Sequence, residues 1–66
     1  MRFQILKKIG SDDIPPIANA VISVDPDAKV GADVQGDIVE VDSWLFAEEF
    51  LVAFDEAGYD VRITQR

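Results

Sequence analysis

The chain has 66 residues, 48% of them hydrophobic, with thirteen acidic against six basic side chains and a formal net charge of −7. That length admits one domain, residues 1–66, with a small core, and the hydrophobic share argues against a disordered segment. The charge excludes nucleic acid as a partner, because phosphate contacts need Lys and Arg; it disfavours anionic membrane surfaces and keeps a small protein in solution.

There is no cysteine and no histidine. Neither a disulfide nor a zinc or copper site of the usual ligands can therefore staple the core. No apolar run reaches the roughly 20 residues of a membrane span. Met1 to Lys8 alternates instead of forming the apolar stretch of a signal peptide, so the expected location is cytoplasmic.

Residues 1–6 alternate, with Met1, Phe3 and Ile5 against Arg2 and Gln4, the period of a half-buried strand. Lys7 to Pro16 carries Gly10, Ser11, Asp12, Asp13, Pro15 and Pro16 and reads as a loop entering a helix. Tandem prolines fit a helix only in its first turn, where N–H groups lack partners anyway. Pro15 is expected to push Ile14 toward extended geometry. Ile17, Ala20, Val21 and Val24 then recur at helical spacing, up to the stop at Asp25-Pro26.

Lys29 to Val34 alternates again, with Val30, Ala32 and Val34 on one face. Gln35-Gly36-Asp37 is a turn, and Ile38 to Asp42 a second alternating run. Together they predict a hairpin. Asp42 or Ser43 is the expected cap of a second helix. Its apolar stripe is Phe46, Phe50, Leu51, Phe54 and Ala57, with Glu48, Glu49, Asp55 and Glu56 opposite. Gly58 suits its C-terminal stop, and Tyr59 to Ile63 is the last strand.

The order is that of a ferredoxin-like βαββαβ sandwich, an α+β fold with a four-stranded antiparallel sheet under two helices on one face. The open sheet face should carry Arg2, Gln4, Lys29, Asp33, Glu40, Asp42 and Arg62. The last strand, Tyr59 to Thr64, falls at an edge of such a sheet and is a place for a weak homodimer to form; otherwise the chain is a monomer.

The segments Ala20-Val21 through Val30, Val39-Glu40-Val41-Asp42-Ser43 and Phe54-Asp55-Glu56-Ala57-Gly58-Tyr59-Asp60-Val61 resemble the heavy-metal-associated domain of small bacterial copper chaperones and copper-transporting ATPases. The resemblance spans about residues 1–63 and implies the same ferredoxin-like fold. It also implies a Gly-Met-x-Cys-x-x-Cys metal loop between the first strand and first helix, with the cysteines at Gly10 and Asp13 and the Gly-Met pair at Lys7 and Lys8. This chain has Lys7-Lys8-Ile9-Gly10-Ser11-Asp12-Asp13 there. Copper(I) is soft and takes thiolate or thioether ligands, whereas carboxylates suit hard cations. The family's copper transfer cannot be carried over.

Two functions remain. One is a degenerate heavy-metal-associated domain, without copper-binding thiolates and without a cofactor, serving as a protein-interaction module. The resemblance implies a related transporter domain as one kind of partner. The candidate contact residues are Ile9 and Ile14 with Tyr59 at the loop end, joined by Ile22, and Trp44 and Phe46 at the opposite end. The alternative is a metallochaperone-like protein holding a divalent cation through Asp12 and Asp13. Each feature also has a plainer reading: Asp12 and Asp13 cap the first helix, Lys7 and Lys8 are solvated charges, Tyr59 packs with its hydroxyl in water, and Trp44 covers the bottom of the core. No nucleophile and base pair, and no phosphate loop, point to an enzyme.

Overall fold

Strand β1 (Arg2–Ile5) buries Phe3 and Ile5 and turns Arg2 outward, as its alternation requires. It lies at the centre of the sheet described by a computed structural model of residues 1–66, whose strand order is β2-β3-β1-β4. Strands β2 (Lys29–Asp33) and β3 (Ile38–Asp42) form the expected antiparallel hairpin. Strand β4 (Val61–Gln65) pairs with β1 at the other edge. All pairings are antiparallel.

Helix α1 (Ile14–Val24) turns Ile17, Ala20 and Val21 to the core, and helix α2 (Leu51–Glu56) turns Phe54. A 3-10 turn, Ala47–Phe50, leads into α2 and buries Ala47 and Phe50. Phe3 meets Phe54 edge-on at 5.0 Å and Phe50 at 6.3 Å, the geometry that aromatic quadrupoles favour. Each of these rings is fully buried, which stabilises the fold by roughly 1.5–3 kcal/mol per side chain. The open face of the sheet carries exposed Arg2, Lys29, Asp33, Glu40, Asp42 and Arg62 with half-buried Gln4, as its alternation predicts. Arg2 bonds Glu40 across the strands through Nε at 2.9 Å.

Several local expectations are corrected. A 3-10 turn at Ser11–Asp13 starts the first helical segment earlier than the prolines indicate. Ile14 is helical (φ −62°, ψ −49°) despite the following proline, because the preceding turn already holds the chain in helical geometry. Pro15 and Pro16 do fall in the first turn of α1.

The second helical segment starts after Phe46, which is extended (φ −77°, ψ 148°). Its N–H donates to Glu49 Oε2 at 2.9 Å, half of the reciprocal pattern of a capping box. Ser43 does not cap that segment; it donates to buried Asp25 (2.6 Å) and accepts from the Leu45 N–H. Phe46 and Ala57 are exposed and leave the apolar stripe. Val34 lies in the hairpin turn, so β2 starts where expected and ends one residue sooner, and Tyr59 lies ahead of β4, which starts two residues later than expected. Gly58 has φ +92° and ends the segment as expected.

Candidate functional site

Three chain segments meet beyond the β1 end that leads into α1: Leu6 to Asp13, the β2–β3 turn and the turn after α2. The hairpin turn supplies an anchor. Asp37 adopts φ 54°, a left-handed conformation that Asp tolerates better than most residues. Its carbonyl accepts from Ile5 N–H (2.8 Å) and from Gln4 Nε2 (3.1 Å). Its carboxylate Oδ1 accepts the Ile9 N–H at 2.8 Å. Ile9 is thereby drawn inward and is only 2% exposed.

The loop then closes on itself. Gly10 N–H donates to Asp13 Oδ2 at 2.8 Å, and the Tyr59 hydroxyl donates to Asp13 Oδ1 at 2.6 Å. Both oxygens of one carboxylate are thus engaged, one by a neighbour in its own turn and one by a residue 46 positions away. Lys7 Nζ lies 4.6 Å from the Tyr59 ring centroid and 3.4 Å from the Gly58 carbonyl, a cation over a π face. The Tyr59 hydrogen bond, and then that of Gly10, hold the Asp13 carboxyl below its usual range against desolvation, with a lesser contribution from the charge of Lys7. The same hydrogen bond, with burial and the negative charge of Asp13, pushes the Tyr59 phenol up to about 12.

The positions expected to correspond to the family's cysteines, Gly10 and Asp13, are therefore bonded to each other. Asp13 does not cap α1 with its side chain; it caps backwards onto Gly10. Asp12 is exposed beside it. No group of three or more Asp, Glu, His or Cys side chains is arranged to hold a metal ion.

The proposed contact residues divide sharply. Ile9 and Tyr59 are core residues, at 2% and 5% exposure, and so do not form a surface. The Tyr59 hydroxyl is bonded to Asp13 rather than free in water. Ile14 and Ile22 are partly exposed. Trp44 does not cover the core: it is 84% exposed, and Phe46 is 79% exposed. Sequence reading missed Asp37 as the organiser of the loop. The signal was a non-glycine residue immediately after Gly36, at a turn position where left-handed geometry is common.

No protein-family model matches the sequence, and no curated protein matches it. Solved structures do match. A gold binding protein is 26% identical, with 94% of this chain and 95% of that one covered and a TM-score of 0.86. The copper chaperone Atx1 from Synechocystis PCC6803 is 24% identical, with 94% and 98% covered and a TM-score of 0.86. A cyanobacterial copper metallochaperone, ScAtx1, is 22% identical, with 94% and 97% covered and a TM-score of 0.74. The chain has the ferredoxin-like fold of heavy-metal-associated copper chaperones and contains no cysteine with which to form their CxxC motif.

Proposed function

We propose that this chain is a heavy-metal-associated domain whose metal loop has become a closed structural turn, and that it works as a non-enzymatic protein-interaction module of the cytoplasm. The observation that carries this reading is the double engagement of Asp13 by Gly10 and Tyr59. A hard cation at Asp12 and Asp13 would have to compete with both donors for the electron density of the Asp13 carboxylate, and a carboxylate pair on a solvent-facing loop offers few ligands in return. Acid–base chemistry by Tyr59 is disfavoured as well, since a phenol pushed to about 12 is poorly matched to proton transfer near neutral pH.

Interaction then falls to the opposite end of the domain. Trp44 and Phe46 are the most exposed large apolar side chains, and exposed aromatics are frequent interface anchors. Asp42, Glu48 and Glu49 flank them in sequence, so the fitting partner has an apolar recess rimmed by Lys or Arg. The test is partner binding by W44A and F46A variants whose amide spectra show an intact core. Loss of the same partner in both variants supports the reading. Retention of every wild-type partner by both overturns it.

A further inference from the structure

Strand β2 lies at one edge of the sheet, with β3 its only strand partner. Met1 and Val41 exchange backbone bonds (2.8 and 2.9 Å), and the Ile5 N–H bonds the Asp37 carbonyl (2.8 Å). In an antiparallel ladder the bonded direction alternates from residue to residue. Asp37, Val39 and Val41 therefore face β1, while Ile38, Glu40 and Asp42 face β2. Their β2 partners are Asp33, Gly31 and Lys29. The N–H and C=O groups of Val30 and Ala32 consequently point away from the sheet.

We propose that two copies join β2 to β2 antiparallel, about a two-fold axis at Gly31, making one continuous sheet. In this register Val30 of each copy exchanges backbone bonds with Ala32 of the other, so the outward groups meet one another. Lys29 of each copy lies directly opposite Asp33 of the other, on the open face where both are exposed. Directly opposed cross-strand charges of unlike sign are favourable. Neither residue has an ion-pair partner within its own copy. Gly31 brings no side chain to the axis, and the space above it is open.

Other registers lose this match. A shift of one residue sets outward groups against groups already bonded to β3. A shift of two sets Lys29 against Gly31 or beyond the strand end. The β4 edge is worse suited. There Leu6 N–H bonds the Asp60 carbonyl, so the backbone N–H and C=O groups of Val61 and Ile63 face away from β1, and the register that bonds both places Arg62 against Arg62 of the other copy. The net charge of −7 on each copy opposes association, which makes the pairing weak and confines it to high concentration.

The test is sedimentation and amide NMR of the whole chain from micromolar to millimolar concentration. The expected result is a concentration-dependent dimer whose Val30 and Ala32 amides shift and gain exchange protection. K29D and D33K, checked for an unchanged core spectrum, should each weaken self-association about tenfold. Mixed together they should associate with each other at least as well as wild type, because each supplies the charge the other lacks. A chain that stays monomeric at millimolar concentration overturns the proposal. So does a dimer that shifts Val61 and Ile63 instead, or one indifferent to K29D.

Discussion

The Tyr59 hydroxyl donates to Asp13 Oδ1 across 2.6 Å and joins the turn after α2 to the 3-10 turn before α1. Asp13 occupies the expected place of a metal-binding thiolate, and its carboxylate accepts from the phenol and from the Gly10 N–H. Y59F keeps the ring in the core and removes only this donor. It should lower the melting temperature by a few degrees, weaken the Lys7 contact little, and return the Asp13 carboxyl toward its ordinary range. Thermal unfolding by circular dichroism and a carboxyl titration by NMR would check this.

The same pair sets the pH limits of the loop. The Asp13 pKa is lowered in the folded state, so its contribution is complete above the ordinary value of 3.8 and is lost as pH falls below it, through the lower folded value. The Tyr59 pKa is raised from 10.0 to about 12, so its contribution is complete below pH 10.0 and lost as pH rises from there through about 12. Phenolate absorbance should therefore show the only tyrosine titrating well above 10.0. Titration at its ordinary value would mean that the bond to Asp13 is absent in solution.

Asp37 combines a left-handed backbone with a side chain that caps Ile9. Three substitutions separate these roles. D37N should match wild type, since Asn accepts the same bond and tolerates the conformation. D37G should lose about 1 kcal/mol with the cap. D37A should lose about 2 kcal/mol or more, because it also strains the backbone. Urea unfolding of the series gives the order directly.

Trp44 is the only tryptophan and lies in solvent. Its fluorescence should resemble that of free indole in water and be quenched readily by acrylamide. W44A and F46A should each change stability by less than about 0.5 kcal/mol. A blue-shifted, protected Trp44 in the isolated chain would show that the aromatic end is covered.

Much of the fold was legible because the sheet is two-faced. Phe3 and Ile5, and Val39 and Val41, alternate with polar neighbours strictly enough to fix strands and their inward faces. Pro15 and Pro16 marked the helix start because their missing donors are tolerated only there. Other features depended on contacts distant in sequence. Ile14 became helical because Asp13 and Gly10 close a turn ahead of it. The destination of the Tyr59 hydroxyl depends on a residue 46 positions away. Ser43 looked like a helix cap until the fold brought Asp25 within 2.6 Å of it. Phe46 fitted a helical stripe by spacing, yet the segment begins only after it, so the ring falls outside the period.

The most direct test of the closed-loop reading is a residue-resolved NMR titration with copper(I), zinc, calcium and magnesium in turn. The expected result is that the Gly10, Asp13 and Tyr59 amides show no saturating shift below millimolar metal. Saturation of those amides at micromolar concentration by any of the four ions would show that the loop is open to a ligand despite the bonds at Asp13, and would make this chain a metal-binding protein.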